Sequence, residues 1–120
     1  MTVGYQNAGK VVALSALATA AKYVSMHTGD PGSAGANELT GGTPVYAAQQ
    51  ATWTTPTTDT LALSNQPLFN IPAGSTVTHV AFRTAATGGD VLWSRALPIP
   101  ETYAGQGTYT LLSASETMTT

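Results

Sequence analysis

Two histidines and six carboxylates hold most of the chemistry this chain could perform. His27 and His79 fall in separate predicted strands, so a sheet could bring them together with Asp30 as a further metal ligand. A metal site needs several such ligands, and the chain offers few more. The plainer reading puts each histidine at a sheet surface or loop base, satisfied by backbone. A serine nucleophile with His27 and Asp30 can be drawn on paper, but there is no G-x-S-x-G turn to expose a hydroxyl. The carboxylate pairs Asp30 with Glu38 and Asp90 with Glu101 lack any supporting motif for glycoside hydrolysis. They read better as loop acids that cap turns. Neither Gly-rich loop, 29–42 or 86–89, shows G-x-G-x-x-G or a P-loop lysine. No catalytic residue, metal ligand or cofactor is expected, and the chain does not read as an enzyme.

The aromatic residues allow one binding chemistry. A ring face can stack on a sugar, which makes Trp53 and Trp93 candidate glycan-stacking residues. Tyr46, Tyr103 and Tyr109 could line the same groove. At strand spacing such rings more often belong to a core or a subunit contact.

Composition limits the partners. Charged residues make up 8% of the 120 residues, against about 25% in an average soluble protein. A surface of Thr, Ser, Gln, Asn and Ala costs little to desolvate and suits packing against neighbouring subunits. The cations Lys10, Lys22, Arg83 and Arg95 form no basic stripe, which argues against nucleic acid. There is no cysteine, hence no disulfide framework or thiolate site. The apolar run Val11–Ala20 is too short to span a membrane, and no membrane insertion is expected. It could be read as the core of a signal peptide, but the stretch before it holds Lys10 as its one basic side chain. An ordinary buried helix is the stronger reading.

These residues must be placed by a mostly β chain, expected to form a single domain. Asn7 is the expected N-cap of a helix from Ala8 to about Ala21, with Val11, Leu14, Ala18 and Ala21 on one stripe. Tyr23–His27 has strand character. A long Gly-rich loop over 29–44 follows, and a loop of that length is usually functional or interface-forming. Further strands are expected at Val45–Trp53, Thr60–Ser64, Leu68–Ile71, Thr76–Arg83, Val91–Leu97 and Thr108–Ser113, with a weak one near Thr117. The Thr76–Arg83 strand has a half-buried pattern. Thr87–Asp90 supplies a hairpin turn, and Pro98–Pro100 is expected to end the return strand. The fold class is therefore a small antiparallel β-sandwich or jelly-roll-like barrel with one short N-terminal α-helix. No repeat of the kind a fibre shaft needs is present.

Two blocks carry a family resemblance. The first is His27-Thr28-Gly29-Asp30-Pro31-Gly32, followed by Gly35–Gly42 and Tyr46. The second runs from Val77-Thr78-His79-Val80-Ala81-Phe82 through Ala85–Leu92 to Ala96-Leu97. With the Ala-rich helix before them, they resemble the small virion proteins catalogued as minor tail or tail-fibre proteins of tailed phages, common in those of actinobacteria. The resemblance covers about residues 8–112. Two departures concern charge. The family's basic residue after the tyrosine is missing at Ala47-Ala48, and its acidic residue before the Ala-Thr-Gly-Gly turn is replaced by Arg83-Thr84. The resemblance implies a virion structural protein on the particle surface, in contact with tail or major capsid proteins. A capsid-decorating protein and a host glycan-binding module are the alternatives. Low charge favours a symmetric homo-oligomer, with a trimer expected. The expected interface is loop 29–44, through Asp30, Pro31, Asn37, Glu38 and Leu39 with Tyr46 just beyond it, together with Thr2–Asn7, since neither segment reads as core.

Overall fold

The computed structural model describes residues 6–117. Helix α1 spans Asn7–Ala20 and is followed by eight strands. These are β1 (Tyr23–His27), β2 (Gln49–Gln50), β3 (Thr60–Ala62), β4 (Leu68–Ile71), β5 (Ser75–Arg83), β6 (Val91–Tyr103), β7 (Gly107–Thr110) and β8 (Ser115–Thr117). They form a four-stranded sheet in the order β2-β1-β5-β6 and two ribbons, β3-β8 and β4-β7, with every pairing antiparallel. The sheets stay separate, so the architecture is the small β-sandwich of the two forms expected. The long axis is 49 Å against 28 and 27 Å, an elongated body.

The core lies between the main sheet and the β4-β7 ribbon. Val24 and Met26 of β1 and Val80 and Phe82 of β5 meet Phe69 and Ile71 of β4 and Leu111 beyond β7. Each buried side chain of this size contributes about 1.5–3 kcal/mol. Alternation along β4 puts Phe69 and Ile71 inward and leaves Leu68 exposed.

The helix begins one residue earlier than expected. Gln6 occupies the cap position and makes no side-chain capping bond. The expected stripe faces inward only in part: Leu14 and Ala21 are buried, whereas Val11 and Ala18 are half-exposed and Val12 is 71% exposed. The helix lies on the surface and is not a buried one.

Three strand expectations need correcting. Over 45–53 only Gln49–Gln50 pairs with β1, and Trp53 adds an isolated bridge to Leu63. The edge of β1 beyond Val24 is already occupied by loop residues, so a longer β2 has nothing to pair with. Pro98 and Pro100 do not end β6. They sit in a bulge where Leu97–Pro100 faces Thr78 alone, and pairing resumes at Glu101 opposite Val77. A bulge demands no ladder hydrogen bond, so the missing proline N–H costs nothing there. The β5 pattern also looked half-buried, but Val80, Ala81, Phe82 and Arg83 are all buried. The 29–44 loop covers its second face.

Candidate functional site

The loop leaves β1 at His27 and folds back on the strand it came from. Thr28 N–H donates to the Asn37 carbonyl, His27 bridges Glu38, and Leu39 N–H donates to the Met26 carbonyl. Between this returning segment and β2, one ladder position remains open at Met26 N–H. The Tyr46 hydroxyl fills it, accepting that N–H at 2.9 Å. It donates in turn to Glu38 Oε2 at 2.8 Å. Glu38 Oε1 receives Arg83 Nη1 at 2.9 Å, and Arg83 Nη2 donates to the Gly89 carbonyl of the β5-β6 turn at 2.8 Å. One chain of bonds therefore ties loop, strand and hairpin together. Both partners of the ion pair are shielded, their side chains 4% (Arg83) and 23% (Glu38) exposed.

The loop's apex is shaped by its own polar groups. Asp30 Oδ1 accepts Gly32 N–H, Asn37 Nδ2 donates to the Asp30 carbonyl, and Gly35 and Ala36 both donate to the Pro31 carbonyl. Gly35 has φ +81°, and a Cβ there would stand 2.7 Å from the Arg83 guanidinium. Only glycine serves, because both the backbone region and the close approach forbid a side chain. Val91 N–H reaches the Ser33 carbonyl and fastens the apex to β6.

His27 and His79 do come together, as direct partners across β1 and β5. Both His27 nitrogens are engaged. Nδ1 lies 2.8 Å from the Ala36 carbonyl, which only accepts, so Nδ1 carries the proton and Nε2 accepts from the Ser25 hydroxyl at 2.7 Å. Burial lowers the pKa of His27 below its ordinary 6.5, and this neutral ring pins the loop base. Burial likewise raises the pKa of Tyr46 far above its usual value, so its hydroxyl keeps its proton. Asp30 joins neither histidine, and among the described residues no cluster of metal-ligating side chains occurs.

The six interface candidates divide by position. Asp30 and Asn37 are exposed, Glu38 is half-buried, and Pro31, Leu39 and Tyr46 are buried within the chain itself. Leu39 and Tyr46 belong to the core cluster, so loop 29–44 holds a core residue after all. Thr2–Tyr5 lies outside the described residues, and Gln6 and Asn7 are exposed at the start of α1. Trp53 and Trp93 form a cluster with Phe82. Phe82 and Trp93 stack at 4.6 Å, and Trp53 lies 5.5 Å from Phe82 and 5.7 Å from Trp93. Trp53 Nε1 donates to the Ala21 carbonyl, joining the cluster to the end of the helix. Sequence reasoning noted Arg83 as a departure from the family pattern and did not name it among the site residues. Its signal was an isolated cation in a strand, with an acid waiting in a Gly-rich loop.

A layered β body whose longest loop is locked to its own framework has the build of a structural module. The family comparison points the same way. The chain belongs to the family described as Podophage GP4 fiber I protein gp80, whose model matches residues 10–119. It is a phage fibre protein, a virion component with a tail-fibre-type structural role that associates with other virion proteins. No curated protein matches it.

Proposed function

We propose that the chain is an accessory subunit of a phage tail fibre, one structural domain displayed on the particle surface and assembled in the host cytoplasm. Copies associate with one another, and the exposed apex of loop 29–44, with Asp30 and Asn37, docks on another virion protein. The family match over residues 10–119 carries this reading. The pinned loop supports it, because a docking surface ordered before contact loses little conformational entropy on assembly. The fibre family favours the tail over a capsid-decorating role. The protein performs no catalysis in this reading. Mutual packing of Trp53, Trp93 and Phe82 supports a framework role for both indoles over glycan stacking. Quantitative mass spectrometry of purified particles tests the assignment. Low copy number relative to the major capsid protein is expected, and a shell-like stoichiometry would contradict it.

A further inference from the structure

Gly29-Asp30-Pro31-Gly32 places a carboxyl beside a peptide bond that only one intramolecular route can break. Pro31 has no N–H, so its nitrogen cannot close on the Asp30 side chain to form a succinimide. The reverse attack stays open, carboxyl oxygen on its own peptide carbonyl, through a small cyclic anhydride. The contacts at the loop apex favour it. Asp30 is exposed, and Gly32 N–H holds its Oδ1 at 2.9 Å, which leaves Oδ2 as the nucleophile. Asn37 Nδ2 donates at 3.1 Å to the Asp30 carbonyl, the group under attack. A donor fixed on that oxygen stabilises the negative charge it gains. Asn37 is the one non-glycine residue with positive φ (+63°) among the described residues. Gly29 leaves room for its amide, since a Cβ there would stand 3.0 Å from Asn37 Nδ2. Pro31 is buried, and Gly35 and Ala36 N–H hold its carbonyl, so the bond cannot swing away from the carboxyl.

We infer that Asp30–Pro31 is a self-cleavage site, cut in mild acid by the Asp30 carboxyl. Oδ2 bonds to the Asp30 carbonyl carbon, and the carbonyl electron pair moves onto the oxygen held by Asn37. That pair returns, the bond to Pro31 breaks, and the Pro31 nitrogen leaves with the carboxyl proton as a secondary amine. Water then opens the anhydride to two carboxyl groups, one on the side chain and one at the new chain end. The sum is hydrolysis of one peptide bond by one water. It happens once per chain, with no turnover. The charged groups packed against the loop are engaged elsewhere: Arg83 with Glu38, and His27 with the Ala36 carbonyl and Ser25. Asp90 lies in the turn next to Val91, whose N–H binds the Ser33 carbonyl. After the cut β1 stays paired with β2 and β5, so the pieces remain one body and only the apex opens.

The proposal concerns the chain by itself and stands whether or not the apex docks on another protein. The test holds the full chain at the lowest pH where circular dichroism shows it folded, beside a urea-unfolded sample at the same pH. Mass spectrometry follows the fragments that end at Asp30 and begin at Pro31. The folded chain is expected to be cut ~10-fold faster than the unfolded one. Asn37→Gly keeps the positive φ and removes the amide, so it should lose that acceleration. Asp30→Asn should abolish the cut, with thermal melting to show that both variants fold. In water labelled with heavy oxygen, an anhydride puts label into both carboxyl groups of Asp30, whereas direct hydrolysis labels only the new chain end. A folded chain cut no faster than the unfolded one, an Asn37→Gly variant cut as fast as the native chain, or label confined to the chain end would each overturn the proposal.

Discussion

Glu38 and Arg83 meet at 2.9 Å across 45 residues of sequence, and their contact joins the long loop to the central strand of the sheet. The family resemblance leads one to expect an acid just before the Ala-Thr-Gly-Gly turn, where this chain has Arg83-Thr84. The structure turns that departure into an internal pair.

Glu38→Ala leaves the Arg83 charge buried without its partner. Removing one member of a buried pair costs about 3–5 kcal/mol, and the partial exposure of Glu38 puts this case at the lower end. Urea denaturation should show that loss. A double-mutant cycle with Arg83→Met should recover part of it, because the double variant buries no unpaired charge. Additive losses would mean the pair is not coupled.

Tyr46→Phe removes the hydroxyl that completes the β1 ladder. Met26 N–H is then buried without an acceptor, at a cost of about 1–3 kcal/mol. Hydrogen exchange at the Met26 amide should accelerate by more than the global loss of stability explains. Unchanged protection would contradict the bond.

Gly35→Ala and Gly32→Ala separate strain from clash. Both glycines have positive φ, but a Cβ on Gly32 meets nothing within 4 Å. Gly32→Ala should cost about 1–2 kcal/mol, the left-handed penalty alone. Gly35→Ala should cost more, since its methyl displaces the Arg83 guanidinium from Glu38. Equal melting shifts would show that the guanidinium does not pack against Gly35.

His27 predicts a pH dependence. Burial lowers its folded pKa, Arg83 and His79 push the same way, and the Ala36 carbonyl and Glu38 oppose. The unfolded chain therefore binds a proton near 6.5 while the folded chain does not until lower pH. Between those values the unfolded state holds more protons, so stability is complete above 6.5 and falls as pH drops through that window. Denaturation at about pH 7.5 and about pH 5 should show the decline, and His27→Gln should flatten it. A native chain equally stable at both would contradict a buried neutral imidazole.

Local patterns in the sequence were enough to find the helix, β1, β4 and β5. Phe69 and Ile71 alternate with Leu68 and Asn70, and β-branched residues crowd Thr76–Val80. What depended on distant partners was not legible. Pro98 and Pro100 read as a strand end because a bulge opposite Thr78 cannot be seen from one strand alone. Leu39 and Tyr46 read as surface because nothing local shows that the loop folds back under β1. The burial of Arg83 was not legible because its cover comes from Gly35 and Glu38, far away in the chain. Trp53 and Trp93 stayed ambiguous until their stacking with Phe82 was visible.

The tail-fibre assignment is tested most directly by an electron-microscopy map of the intact particle, into which this elongated β body can be fitted. Density for it along the tail fibres is the expected result. Density over the head shell, at the capsid symmetry axes, would contradict the assignment and make the protein a capsid-decorating one.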